Sequence, residues 1–526
     1  MSASVQVADD RPSSLGFWVF FWGFVSMLRI AIGFHPHSGQ DNYHGSLEKG
    51  AYGGDFEAQR HWMELTIHLP IGDWYWYDLG YWGLDYPPLT AYVSWICGWA
   101  SHYIVGPESV ALEASRGIED PTHKAFMRAT VLVLDLLVYG NAIWKVGYRG
   151  NRKSLWTILM ALCQPAILLI DHGHFQYNTV ALGLSIASFY AMVQPNFATC
   201  VWGGFFFTLA LNFKQMTLYY APVVLFYLLG RCGAKSWKTP FVQRIAWLGG
   251  VVLITFFFLW APFVGYAPSD HSPTPTPIER LAHVLRRIFP FERGLFEGKV
   301  ANLWCALNTS PVKIRSRIPG DVQPLLALAG TIVLMSPSCW KVFQVGTRDP
   351  FSTRSVQKHW TVMLWATTSC SLSFFLASFQ VHEKSILLSL APCSLLLWED
   401  PTFVEWFSFV CLWTLWPLLQ VDRLQTAYFC MMLAFVSMVW FRRTSMEEAK
   451  AESSIFSGVR KFIPILSFVG MTALHIIQAL VPAPSRLPDL YEVLWSVAGC
   501  GMFSIAWVVT IAKLYSSETT LKDKSD

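Results

Sequence analysis

An all-α protein that crosses a membrane many times is the fold class this sequence predicts, and three observations predict it. Across 526 residues only 14% are charged, against about 25% in ordinary soluble domains. Hydrophobic residues reach 53%, and 25 Trp with 38 Phe help bring the aromatic share to 16%. The apolar residues also gather into runs, and a helix needs roughly 17 to 25 mostly apolar residues to cross hydrocarbon with its backbone bonded internally. A net charge of +4, held in short clusters between the runs, argues against nucleic acid as a partner. Of the 11 Cys, Cys163, Cys200, Cys370, Cys393, Cys411, Cys430 and Cys500 lie inside apolar runs and read as packing residues rather than a disulfide framework.

Taken in order, Met1 to Ser14 carries Asp9, Asp10 and Arg11 and reads as a polar tail, not a cleaved signal. The expected spans of the first half are Leu15 to Phe34, Ala129 to Ile143, Leu155 to Ile170, Val180 to Val193, Phe197 to Leu211, Met216 to Leu229 and Ile245 to Val264. The second half adds Leu325 to Met335, Thr361 to Phe379, Ile386 to Trp398, Phe403 to Leu419, Ala427 to Phe441, Ile463 to Leu480 and Val493 to Ala512, about fourteen in all. These divide the chain into an N-terminal module, 1–264, with a long loop at 33–126; a second long loop, 265–322; and a C-terminal module, 323–526.

Charge decides one ambiguous stretch. If Leu89 to Val105 stays inside the first loop as an interfacial or re-entrant helix, the short loops on one side share a basic character. They hold Lys145, Arg149, Arg152 and Lys153; Arg231, Lys235, Lys238 and Arg244; Lys341, Arg348, Arg354 and Lys358; and Arg442, Arg443, Lys450, Arg460 and Lys461. The positive-inside rule makes that side cytosolic, and an even number of crossings puts both termini there. The opposite side receives the first loop, with twelve acidic and four basic residues. The loop Tyr266 to Val322, rich in arginine, disagrees, but it approaches the length of ~60 residues at which the rule weakens.

Five polar stretches then fall on one membrane face: Gly54 to His61, Tyr81 to Pro88, Asp171 to Asn178, Asn212 to Gln215 and Val381 to Lys384. Ionisable groups at tightly turned membrane boundaries are functional candidates by default. Each stretch also has a plainer reading. Asp55 with Ala58 and Gln59 fits a helix N-cap. His172 and His174 at i,i+2 with no Cys or Glu nearby suit hydrogen bonding better than a metal. Lys214 can snorkel to the interface, and His382 with Lys384 can anchor there. The run Trp74 to Tyr77 is an interfacial belt or a sugar-stacking surface. As a set they suggest group transfer between lipid-borne substrates, with a carboxylate base and with cations to hold phosphate. No Asp-x-Asp pair of the kind that holds a divalent metal on a nucleotide diphosphate is present, and a lipid-attached monophosphate leaving group needs no such metal.

The motifs GDFEAQRHWMELTIHLP from Gly54 and YWGLDYPPLTAY ending at Tyr92 bring a family into view, as do DHGHFQYN from Asp171, FKQM from Phe213, RIFPFERGLFEGKVANLWC from Arg287 and SFQVHEK from Ser378. Together they resemble the endoplasmic-reticulum glucosyltransferases that extend the dolichyl-pyrophosphate-linked oligosaccharide precursor of N-glycans. The first-loop motifs are more similar to the members that add the first glucose than to those that add the second. The resemblance implies a GT-C fold with long luminal loops, dolichyl-phosphate-glucose as donor, a mannose-rich lipid-linked acceptor, inversion at the anomeric carbon, and no metal or other cofactor. It makes Asp55 the expected catalytic base, sets His382 near the donor phosphate and has Asp85 support the site.

Charge and side add Lys214, Lys384, Arg286, Arg287 and Arg293 as phosphate or pyrophosphate ligands, with Glu57, Arg60, His172 and His174 as further donor- or acceptor-binding candidates. Glu57 is also the rival base. A lipid transporter or scramblase is the alternative from another class, but it would show paired half-chain repeats, and none is evident. Two smaller features complete the reading. Lys522 and Lys524 form K-x-K-x-x at the C-terminus, similar to a dilysine retrieval signal read by a coat protein. Asn308 begins an Asn-Thr-Ser sequon in the second long loop.

Overall fold

The computed structural model describes residues 15–40, 53–148, 152–234, 239–289, 300–309, 312–348, 352–445 and 455–516. Arg293, Lys522 and Lys524 lie outside them. The described chain is helical, and the helix Thr353–Ala377 runs through its centre, with 94% of its most apolar stretch inside the protein. Its composition explains how. Thr367, Thr368, Ser371 and Ser373 are small enough for neighbouring helices to approach closely. Their hydroxyls donate to carbonyls one turn back at 2.7–2.8 Å, which satisfies them where water is excluded. Between helices, the hydroxyls of Ser338 and Ser369 meet at 2.6 Å, those of Ser371 and Ser389 at 2.9 Å, and the Trp507 indole donates to Ser373 at 2.9 Å.

Eight helices among the described residues are long and apolar enough to cross a membrane: Leu15–Gly33, Pro121–Gly147, Ser154–Phe175, Phe241–Gly265, Gln323–Gly346, Thr353–Ala377, Phe462–Leu480 and Leu490–Ser516. Most of the other expected runs form shorter or broken helices. Val180 to Val193 and Phe197 to Leu211 become Asn178–Met192 and Phe197–Phe213. Met216 to Leu229, Ile386 to Trp398 and Phe403 to Leu419 are each divided, the last into Pro401–Thr414 and Trp416–Val421, where Pro417 lacks the N–H that a continuous helix needs. Ala427 to Phe441 is carried by Gln425–Ser445. The outer faces are apolar: only 17% and 6% of the corresponding stretches of Phe241–Gly265 and Phe462–Leu480 are covered by protein. Leu253, Phe257, Ile465 and Val469 stand exposed there. A surface of this kind belongs in hydrocarbon. Cys430 shares that exposure, whereas the other six intramembrane cysteines named above are buried.

Two π-helical turns, Asp135–Gly140 and Leu169–Phe175, interrupt the second and third spans. Each wide turn shifts the helical phase and turns polar side chains inward. Asp135 accepts from Arg29 Nε at 2.6 Å and faces His172 Nε2 at 2.8 Å, all three groups buried.

The first long loop is also ordered by helices. Leu89 to Val105 forms the helix Pro88–Ile104, which packs along the helix Asp55–His68. At the contact a Cβ on Gly98 would stand 2.7 Å from the Met63 carbonyl oxygen, so only glycine fits. The run Trp74 to Tyr77 differs from both expectations: Trp74 and Tyr75 are buried, Tyr75 meets Phe263 edge-on at 5.1 Å, and Trp76 stacks on His283 at 3.7 Å. These rings fasten the loop to the helices beneath it.

Candidate active site

Beyond the C-terminal end of Leu15–Gly33, the helix Asp55–His68, the loop ahead of Pro88, the turn after Phe213 and the segment after Ala377 enclose a cavity of about 570 Å³. Small-molecule sites usually span roughly 300–1,000 Å³. Asp55, Ala58, Gln59 and Trp62 line it, the i, i+3, i+4, i+7 positions of one helical face. The same periodicity turns Glu57 and Arg60 away, contrary to their expected place at the substrate. Glu57 accepts from Arg60 at 2.8 and 2.5 Å and from the Tyr81 hydroxyl at 2.6 Å, while Arg60 also reaches Ser115 and Glu64. Both side chains are buried in a structural network behind the cavity wall.

Asp55 is not a cap. Gly54 occupies the N-cap position with φ +93°, and a Cβ there would fall 2.4 Å from the Ser38 carbonyl group, so glycine sets the direction in which Asp55 leaves the backbone. The Asp55 carboxylate turns instead to three donors that converge on Oδ2: His174 Nε2 at 2.7 Å, Gln176 Nε2 at 2.5 Å, and Lys384 Nζ. Among the described residues no donor reaches Oδ1, and the side chain keeps 26% of its surface open on the cavity side. Burial alone would raise the Asp55 carboxyl; the Lys384 ammonium and the bond from His174 outweigh it and hold the group well below the ordinary carboxylate range. The start of its helix adds a favourable field for the anion.

The other expected residues divide. Asp85, Lys214, Arg287, His382 and Lys384 line the cavity with Asp55. Lys214 donates to Gln176 Oε1 at 3.0 Å and to Asn178 Oδ1 at 2.5 Å, which fixes the amide that in turn donates to Asp55. Burial, reinforced by nearby Lys384, pushes the Lys214 ammonium down to about 8. Arg287 holds the Gly83 and Leu84 carbonyls at 2.7 and 3.3 Å and so fastens the cavity wall. Arg286, the next residue on the same helix, points to the exposed side and is not part of the lining. His172 and His174, two residues apart in a π turn, face different partners: His172 belongs to the buried Arg29–Asp135 group, and only His174 touches Asp55.

The pattern of the ALG6, ALG8 glycosyltransferase family matches residues 26–509. The chain belongs to this family. It is 37% identical over 484 residues to the dolichyl pyrophosphate Man9GlcNAc2 alpha-1,3-glucosyltransferase of Gallus gallus, covering 87% of this chain and 90% of that one. The Saccharomyces cerevisiae protein of the same name is 36% identical, with 94% and 91% covered. The probable enzyme of that name from Schizosaccharomyces pombe is 38% identical, with 88% and 86% covered.

This glycosyltransferase also places in its site a residue that sequence reasoning missed. Asp422 Oδ2 lies 2.5 Å from His174 Nδ1. Asp422 follows the apolar run Phe403 to Leu419, so the signal that singled out the other boundary charges was present here too.

Proposed function

We propose that the protein transfers glucose from dolichyl-phosphate-glucose to the terminal mannose of dolichyl-pyrophosphate-linked Man9GlcNAc2 in α-1,3 linkage, the first glucosylation of the N-glycan precursor. The names of the relatives support the acceptor and the linkage. The observation that carries the chemistry is the Asp55 carboxylate, anchored through one oxygen and open to the cavity through the other.

Inversion in one displacement asks for one base and no acid, because a phosphate monoester anion leaves readily. Asp55 Oδ1 accepts the proton of the mannose hydroxyl as its oxygen bonds to the anomeric carbon and the bond from that carbon to phosphate oxygen breaks. Lys384, 19% open, turns to the incoming phosphate, joined by His382. As the ammonium leaves Asp55 the carboxylate gains basicity at the moment a proton must be taken. Trp82 and Tyr86 line the cavity and supply apolar surface for a sugar. Cations supply the countercharge for the leaving phosphate, and no metal is required.

We place the protein in the endoplasmic-reticulum membrane, with both termini cytosolic, the site luminal, and Lys522 and Lys524 available to a coat protein. The deciding assay combines purified protein, synthetic dolichyl-phosphate-glucose and EDTA with either the unglucosylated or the singly glucosylated acceptor. Glucose should pass to the first and not the second; transfer to the second alone would identify the next enzyme of the series. Glu108→Cys, exposed in the first loop, should react with an impermeant thiol reagent only after microsomes are permeabilised.

A further inference from the structure

We infer that Asp422 is a positioning residue of this site, acting on Asp55 through His174. Asp422 closes the short helix Trp416–Val421, is 5% exposed and does not line the cavity. Among the described residues it touches the site through its bond to His174 Nδ1. The backbone on which His174 sits is already pinned: Arg128 donates to the His172 and Gly173 carbonyls at 2.5 and 2.8 Å, and the Ser38 N–H donates to the His174 carbonyl at 3.0 Å. What remains free is rotation of the imidazole. A carboxylate on Nδ1 stops it and leaves Nε2 aimed at Asp55 Oδ2. It also places a second carboxylate against the ring, opposite Asp55.

Three charged groups act on the ring: Asp55 at 2.7 Å and Lys384 Nζ at 3.0 Å, both from Nε2, and Asp422 at 2.5 Å from Nδ1. Asp422 and Asp55 are the two whose carboxylates touch the imidazole. Loss of the Asp422 carboxylate therefore lets Nε2 turn away from Oδ2, and the Asp55 carboxyl, short of that hydrogen bond, rises.

The inference rests on Asp55 as the base, and its test separates the two ideas. Steady-state rates are measured from pH 3 to pH 9 for D422N, D422E, H174Q and H174Q/D422N, beside D55N. D422N should lose roughly 10- to 100-fold in kcat, the scale of a residue that orients a working histidine. The acidic limb of its kcat/KM profile should move up by about one pH unit. D422E, which keeps the charge, should recover the limb. In the H174Q background D422N should add no further loss, and H174Q alone should show the same displaced limb. A wild-type limb in D422N, or an equal D422N loss with and without His174, overturns the inference while D55N stays inactive. Should D422N fail to fold, an unmoved limb in H174Q overturns it. Normal turnover in D55N would instead remove the base.

Discussion

The Arg287 guanidinium donates to the Gly83 carbonyl at 2.7 Å, so a residue expected to bind phosphate is engaged in holding the loop that carries Asp85. Arg287→Ala frees residues 83–85 and should raise KM by about tenfold or more, since hydrogen bonds from a charged donor contribute roughly 1.5–3 kcal/mol each. The kcat should change by only a few-fold. Initial-rate measurements against donor and acceptor concentration check this.

Asp55→Asn retains the size of the side chain and loses the proton acceptor. Turnover should fall by about 10²- to 10⁴-fold, with thermal melting in detergent near that of the wild type. Glu57→Gln should behave in the opposite way. Arg60 is wholly buried beside it, and weakening a buried ion pair costs up to about 3–5 kcal/mol, so this variant should melt early and, where folded, still turn over.

The acidic limb of kcat/KM should lie below the ordinary carboxylate range, because Lys384 and His174 overcome burial to keep Asp55 ionised in the free enzyme. An alkaline limb near pH 8 should follow from Lys214: its loss of a proton releases Gln176, and Gln176 then no longer has a fixed orientation toward Asp55. Lys214→Met should abolish that alkaline limb and lower the plateau.

Glu64 makes a separate pH prediction, for stability. Burial opposes its charge, but bonds from His61, Arg60 and Ser115 lower it from 4.5 to about 2. A carboxyl depressed in the folded state stabilises fully above its unfolded value and loses that contribution as the pH falls through the folded one. The melting temperature should therefore decline between about pH 4.5 and pH 2, and Glu64→Gln should flatten the decline.

Much of this was legible in the sequence, for reasons that particular residues show. The long apolar runs became helices because hydrocarbon leaves the backbone no other partner. Asp55, Asp85, Lys214, His382 and Lys384 gathered at one cavity because each sits in or beside a turn where the chain leaves or re-enters a helix. Glu57 and Arg60 were assigned to the substrate because their motif was read as a unit, whereas one helical face carries only Asp55, Ala58, Gln59 and Trp62 inward. Asp422 and His174 lie 248 positions apart, a separation no local pattern bridges. The π turn that aims His172 and His174 in different directions has no simple composition to announce it.

Asp55 draws its three ligands from positions 119, 121 and 329 residues further along the chain. During synthesis the carboxylate is made early, yet the ammonium that restrains it arrives only after most of the spans have been inserted. A nascent or truncated chain ending before Lys384 thus carries the acid but not the cation that steadies it. Activity in this enzyme is a certificate of completed membrane assembly, issued only when the two halves of the polypeptide have met.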